Sequence, residues 1–296
     1  MADSLGLGPA APIVVNTKGA QIDAQYFPGQ PGSRIWRGDD WAERFGPVLL
    51  EAAEEIMAMI GLARADDLAA RNSMILSRAG ARVAAQVHAP TDLRSATSSE
   101  SVEDISCEIT HAGFFLSRAY TIRHPRFDGT YSAVLRREVF VATDAALVLP
   151  YDPKRDRVLL VEQFRMGPYG RGDPRPWMLE PVAGRIDGGE SPEDAARREC
   201  LEEAGLTLTG LEKISAHYCT PGYSTELFHI FVGLCDLPDM QMGQGGLATE
   251  HEDIRSHVVD FARAMALVGS GEANNGPLVL SLLWLERERA RLRASA

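Results

Sequence analysis

Apolar residues change their period three times along this 296-residue chain, and each change marks a different kind of element. Between about 41 and 61, Phe45, Val48, Leu49, Ala52, Ile56 and Met59 or Ile60 recur at three- and four-residue spacing, which predicts a helix with one buried face. Asp39-Asp40-Trp41 leads into it. A second helical stretch, about 65–86, carries Leu68, Ala69, Ile75 and several arginines. Phe27-Pro28-Gly29-Gln30-Pro31-Gly32 ahead of both is a loop. Residues 89–101 (APTDLRSATSSES) have no period and read as a linker. From 103 to 141 the pattern turns β-like, with Phe114-Phe115, Ala119 to Ile122 and Ser132 to Val141 as strands and Asp128-Gly129 as a hairpin turn. By prior expectation, Phe114 and Phe115 on such a strand are core residues first. Asp144 to Pro150 and Arg157 to Phe164 (RVLLVEQF) are continuous apolar runs, as buried strands are, with a turn at 152–156. Strands follow at 212–219 and 228–235, a Met/Gly/Gln loop at 236–247 and a partly helical stretch at 258–268. Asn274-Asn275-Gly276-Pro277 opens a final amphipathic helix, whose Arg287, Arg289, Arg291 and Arg293 read as a solvated face. Strands alternating with helices over short links predict an α/β domain. The expected division is an appendage at 1–90, a linker at 91–101 and a domain at 102–296, itself split into a β part (102–141) and a core (142–296).

Between the strands lies GRIDGGESPEDAARRECLEEAGL, residues 184–206. Ser191 as N-cap, Pro192 at the first helical position and Glu193-Asp194 in the first turn predict a helix start. Gly205 predicts its stop. On that helix Glu199 and Glu203 stand one turn apart, with Glu202 beside them. Three carboxylates on adjacent turns repel one another, and a hard divalent cation with oxygen ligands would relieve that cost. An ordinary acidic surface helix with an Arg198–Glu202 pair is the competing account. Ala196, Cys200 and Ala204 give a narrow apolar face that can lie close on a sheet.

Composition excludes several classes. The formal net charge of −11 argues against a general nucleic-acid or anionic-membrane binder. It also means that an anionic substrate must be held with the help of cations. No run approaches the roughly 20 apolar residues of a membrane span. The first residues lack a basic leader. Cys107, Cys200, Cys219 and Cys235 have no metal-binding spacing, which fits reduced thiols in a cytoplasmic protein. Downstream, Glu250 and Glu252 alternate in Glu250-His251-Glu252-Asp253-Ile254-Arg255, so on extended backbone they point the same way. One can ligate metal while the other takes a proton from water.

Read as G-x5-E-x7-R-E-x-x-E-E-x-G-L, residues 184–206 resemble the Nudix hydrolase signature at every fixed position but one. That one is Cys200, where the family has a bulky aliphatic residue. The resemblance extends over nearly all of 103–290 to the bacterial ADP-ribose pyrophosphatase branch. It rests on Gly113-Phe114-Phe115, Arg136 to Phe140, Val161 to Arg165, Glu180 to Gly184, Thr220-Pro221-Gly222 with Glu226, and Glu250 to Arg255. Pro221 stands sixteen residues past Gly205, the position that marks the ADP-ribose branch. The run that marks NADH-cleaving members is absent. The resemblance implies an α/β/α sandwich with a mixed sheet, preceded by a β-rich dimerisation subdomain and a small, mainly helical N-terminal region. It implies Mg2+-dependent hydrolysis of ADP-ribose to AMP and ribose 5-phosphate, with two or three ions and Mn2+ as a substitute. The Ala183 carbonyl, Glu199, Glu203 and Glu252 would hold the metal. Glu250 would be the general base, supported by Glu202 and Arg198 in the catalytic group. Arg165, Arg185, Pro221, Gly222 and Glu226 would contact the diphosphate and terminal ribose. Phe114, Phe115, Arg137 and Glu138 would hold the adenosine, from the partner subunit of a homodimer with exchanged N-terminal strands. On the residues alone, Arg137 can equally be a structural ion pair.

Two other functions stay open from the sequence: cleavage of another nucleoside diphosphate sugar, and non-catalytic nucleotide sensing. A sensor would be expected to have lost box carboxylates, and all are present. Val15 to Tyr26 and Ile35 to Trp41 resemble the C-terminal part of gamma-glutamylcyclotransferase-like domains. The glycine-rich substrate loop of that fold is not visible, so the region is either a truncated or inactive copy or a plain appendage. Some relatives with an N-terminal appendage are associated with tellurite resistance; no residue here explains that phenotype.

Overall fold

The computed structural model describes residues 11–17, 20–26, 38–86, 90–95, 97–237, 244–245 and 253–296. The chain divides into two compact units, 1–86 and 87–296. The first contains a hairpin of β1 (Ala11–Thr17) and β2 (Ala20–Tyr26), paired antiparallel. It also contains α1 (Gly38–Ala58), α2 (Ala65–Ala70) and α3 (Asn72–Ala84). The predicted stretch at 65–86 is thus two helices, broken at Arg71. Val48 and Ala52 of α1 meet Ile75 and Ala79 of α3 in a small core. Beside it Arg78 donates to the Glu55 carboxylate at 3.1 Å, both side chains being buried. Removing either partner alone would strand a buried charge.

The second unit opens with β3 (Glu103–Ala112), β4 (Leu116–Arg123) and β5 (Leu135–Val141), a three-stranded antiparallel sheet. Next come β6 (Ala145–Asp152), β7 (Arg157–Phe164), the short α4 (Met166–Arg171), β8 (Trp177–Glu180) and β9 (Val182–Arg185). After α5 (Pro192–Ala204) follow β10 (Gly210–Tyr218), β11 (Leu227–Leu234), β12 (Gln244–Gly245) and β13 (Ile254–Asp260). Helices α6 (Phe261–Ser270) and α7 (Gly276–Ala294) close the chain. The larger sheet runs β10-β11-β6-β7-β13-β12, with β11–β6 parallel and the other pairs antiparallel. The stretch read as partly helical at 258–268 is therefore strand as far as Asp260.

Strands β6 and β7 pair only next to their turn, at Tyr151↔Val158 and Asp152↔Arg157. Beyond that they part. Strand β9 then pairs β6 over Ala145–Val148, and β8 pairs β7 over Val161–Phe164. This split opens the middle of the sheet at one end. Strands β6 and β7 are covered on both faces, which explains their unbroken apolar runs. On one face α5 buries Ala195, Ala196 and Cys200 against Ala146, Val148, Leu159 and Val161. On the other, α6 and α7 bury Phe261, Leu278, Leu282 and Leu285 against Leu149, Val158 and Leu160. The result is a three-layer α/β/α sandwich.

The arginines of α7 form a solvated face, as expected, and they are ion-paired as well. Arg289 and Arg293 both donate to Asp156 in the β6–β7 turn, which also accepts the Tyr151 hydroxyl at 2.9 Å. Arg291 donates to Glu212 at 2.7 Å, and Arg287 to Glu288 at 3.0 Å. The first of these networks fastens the last helix to the hairpin that heads the central sheet.

Candidate active site

The helix predicted from capping residues forms as its sequence dictates. The Ser191 hydroxyl accepts from the Asp194 N–H at 3.1 Å, and Pro192 opens the first turn. Gly205 ends the helix at φ 64°, and the Leu206 N–H returns to the Cys200 carbonyl at 3.0 Å. That conformation carries little cost for glycine alone.

Helix α5 lies against β9, and the contact is closest at Gly184. A Cβ built there would overlap the Glu199 carboxylate. One turn on, Glu203 is 3 % exposed and accepts from the Ala183 N–H at 3.3 Å. Glu199 and Glu203 therefore both sit against the Ala183–Gly184 backbone. Arg198 organises the other acids. It donates to Glu190 at 2.9 Å, Glu199 at 2.6 Å, Glu202 at 3.0 Å and the Arg185 carbonyl at 3.0 Å. Those bonds, to Glu190 foremost, push the guanidinium further above its usual range. Burial alone would raise the Glu190 carboxyl, but the Arg198 hydrogen bond and the Asp187 N–H outweigh it and hold it below the usual value. The repulsion inferred from the sequence is thus met in part by an arginine of the same helix. Among the described residues no three His, Cys, Asp or Glu side chains converge on one ion-sized point.

A cavity of about 400 Å3 opens at the split of the sheet, beside Ala183 and Gly184. Arg165, Glu180, Arg185, Glu226 and Phe228 line it. Arg165 donates through Nε to Glu180 at 2.6 Å. Burial raises the Glu180 carboxyl against the pull of Arg165. Burial also raises Glu226, which accepts the Cys219 thiol at 3.0 Å. A larger cavity of about 880 Å3 lies between β7, β8, β13 and α6, with Arg263 and His257 in its lining and no residue of the box. The smaller one is the cavity that adjoins Glu199 and Glu203, across Ala183 and Gly184.

The structure brings Arg165, Ala183, Arg185 and Glu226 to this cavity, with Glu199 and Glu203 immediately behind Gly184. Pro221 and Gly222 form an exposed turn nearby in sequence and do not line it. Phe114 and Phe115 are a correction. They occupy the β3–β4 bend, 65 % and 52 % exposed, stacked edge-on at 5.0 Å with Phe140 against Phe115. They are neither strand nor core. Arg137 and Glu138 are exposed on β5, away from the cavity lining. The small sheet is tied to the site region, however. The Phe140 N–H donates to the Tyr223 carbonyl at 2.7 Å and its carbonyl accepts from Thr225 at 3.1 Å. Glu250 and Glu252 lie outside the described residues. Two site residues escaped the sequence reading. Glu180 is an acid in an otherwise apolar strand, which is a usable signal. Asn275 caps α7 and donates to the Leu179 carbonyl at 2.6 Å, beside the cavity, and nothing local marks that bond.

Carboxylate oxygens of Glu199 and Glu203, a backbone carbonyl at Ala183 and the close approach that only Gly184 allows fit a hard cation such as Mg2+. The thiols do not compete. Cys200 and Cys235 are buried free thiols, and burial pushes Cys200 well up and Cys235 up to about 12.

The NUDIX domain profile matches residues 141–279. The ADP-ribose pyrophosphatase of Escherichia coli K12 is 42% identical over 192 residues, covering 65% of this chain and 91% of that protein. The ADP-ribose pyrophosphatase of Haemophilus influenzae is 37% identical, covering 67% of this chain and 92% of that protein. A GDP-mannose pyrophosphatase of Escherichia coli SMS-3-5 is 33% identical over 151 residues, covering 51% of this chain and 78% of that protein. With its box helix seated on the Ala183–Gly184 strand and nine-tenths of such a relative matched, the chain belongs to the Nudix family.

Proposed function

We propose that this protein hydrolyses the diphosphate of ADP-ribose to AMP and ribose 5-phosphate, with Mg2+ as cofactor. The observation that carries the reading is the seating of the Glu199 and Glu203 carboxylates on the Ala183–Gly184 backbone, at the wall of a cavity holding Arg165 and Arg185. Glu199, Glu203, the Ala183 carbonyl and Glu252 are the residues that would hold Mg2+ or Mn2+. When bound, the ions neutralise the diphosphate and make water more acidic. Arg198 keeps Glu199 and Glu202 in place. Arg165 and Arg185 face the diphosphate with charge and directed N–H groups. Glu250 accepts a proton from water as its oxygen bonds to one phosphorus in line. The bond from that phosphorus to the bridging oxygen breaks, leaving two monophosphates.

Phe114, Phe115, Arg137 and Glu138 are read as the adenosine site, supplied to the cavity by a second copy in a homodimer with exchanged strands. Support comes from their absence from the cavity lining in one chain and from the exposed apolar side chains of Ile105 on the small sheet and Val134 just ahead of β5. We read the enzyme as cytoplasmic from its free thiols Cys107, Cys200, Cys219 and Cys235. No helix among the described residues is long and apolar enough to cross a membrane.

The deciding experiment is turnover of ADP-ribose with Mg2+, Mn2+ or chelator, following AMP. Metal-dependent AMP release is expected. Tight binding of ADP-ribose without AMP would instead make the protein a sensor. The GDP-mannose relative supports a second reading, another sugar nucleotide as substrate, and a higher kcat/KM on GDP-mannose would establish it.

A further inference from the structure

Among the described residues, Arg165 uses one of its three side-chain nitrogens on the protein. Its Nε donates to Glu180 at 2.6 Å, and among the described residues no hydrogen-bond acceptor is paired with its two terminal nitrogens. The side chain is 40% exposed, whereas that of Glu180 is 18% exposed. Both line the cavity beside Ala183 and Gly184. They come from different strands: Arg165 follows the end of β7, and Glu180 ends β8, where the sheet splits. The Arg165 N–H donates to the Pro176 carbonyl at 2.9 Å, so its backbone is fixed as well. A guanidinium free at its root loses much rotamer entropy on gripping a phosphate. One held through Nε presents its terminal fork already oriented, in the geometry that matches two phosphate oxygens.

We propose that Glu180 is a positioning residue: it holds Arg165 by Nε so that the terminal guanidinium nitrogens face the diphosphate of the substrate. Glu180 itself does not touch the substrate. The inference rests on the proposed hydrolysis of a nucleoside diphosphate sugar at this cavity. A half-buried carboxylate has a structural use too, and packing is separated from positioning as follows.

The experiment is a double-mutant cycle of Glu180→Gln and Arg165→Ala in the full chain, with ADP-ribose as substrate and Mg2+ present. Glu180→Gln keeps the shape and loses the charge. Acting through Arg165, it lowers kcat/KM by roughly tenfold, the scale of one charge-assisted hydrogen bond. In the Arg165→Ala background the same change has little further effect, because the residue it positions is gone. Calorimetric binding of ADP-ribose in chelator follows the same non-additive pattern, which a purely structural role would not produce. Should the amide disturb folding, seen as a lowered Tm, Glu180→Asp serves as the second variant: it keeps the charge but withdraws it by one methylene, and the same non-additivity is expected. Equal fold losses in both backgrounds, or no loss in either, would overturn the proposal while leaving the function intact. Wild-type protein that cleaves neither ADP-ribose nor GDP-mannose would instead remove the functional reading, and this inference with it.

Discussion

The close approach at Gly184 makes Gly184→Ala the most informative single change. The φ of Gly184 is outside the left-handed region, so alanine meets no backbone strain there. What its methyl group meets is the Glu199 carboxylate, the far end of a flexible side chain. The protein can yield by swinging Glu199 aside. That costs about 0.5–1.5 kcal/mol if the side chain leaves its rotamer. It also gives up the 2.6 Å hydrogen bond from Arg198. Arg198 keeps Glu190, Glu202 and the Arg185 carbonyl, so only a fraction of the roughly 1.5–3 kcal/mol of a charged hydrogen bond is lost. A stability loss of about 1–2 kcal/mol follows, or roughly 2–8 °C in Tm for a unit of this size. Catalysis suffers far more, since displacing a reacting group by about 1 Å costs around a hundredfold. The expected variant is folded, melts a few degrees lower, and has lost at least about a hundredfold in kcat on ADP-ribose with Mg2+. Calorimetry and a steady-state assay on one preparation read both numbers. Near-normal turnover would refute the assignment of Glu199 to the metal. An unfolded variant would refute the claim that the carboxylate can yield.

Three further outcomes are expected. Glu203→Gln and Glu250→Gln each lower kcat by orders of magnitude with the circular dichroism spectrum unchanged, and normal rates in either would remove that residue from the mechanism. Gly233→Ala behaves oppositely to Gly184→Ala: its Cβ would come within 2.8 Å of Leu208 Cδ2 and Val148 Cγ1, so denaturant melts show a loss of about 1–3 kcal/mol while kcat per folded molecule is kept. Asp156→Asn reports the fastening of α7. Hydrogen bonds from Arg289 foremost hold the Asp156 carboxyl below its usual 3.8, against the effect of burial. A lowered folded-state value means the stabilisation is present above pH about 4 and is lost as pH falls through that lower value. The Tm gap between wild type and variant is therefore constant near neutrality and closes in acid; a gap that widened on acidification would contradict this.

Local chemistry was legible and long-range chemistry was not. The box helix could be read to within a residue at each end because Ser191, Pro192 and Gly205 act on their own backbone. The two central strands, β6 and β7, were legible from unbroken apolar runs. Residues 258–268 misled because Val258, Val259, Phe261, Ala264 and Val268 fit both periods, and pairing with β7 makes the first three residues of that stretch strand. The ion pairs of the α7 arginines were not legible, since their main acceptor, Asp156, is 133 residues from Arg289. Glu180 and Arg165 meet only because β6 and β7 part. The same division separates reaction from specificity. Relatives at 42% and 33% identity include an ADP-ribose and a GDP-mannose pyrophosphatase, so overall similarity does not choose between the two substrates. Phe114, Phe115, Arg137 and Glu138, outside 184–206, are the candidates this chain offers for that choice. Exchanging them should move the ratio of kcat/KM between the two substrates and leave the dependence on Mg2+ alone. An exchange that altered metal dependence but not the ratio would place those residues in the wrong half of the site.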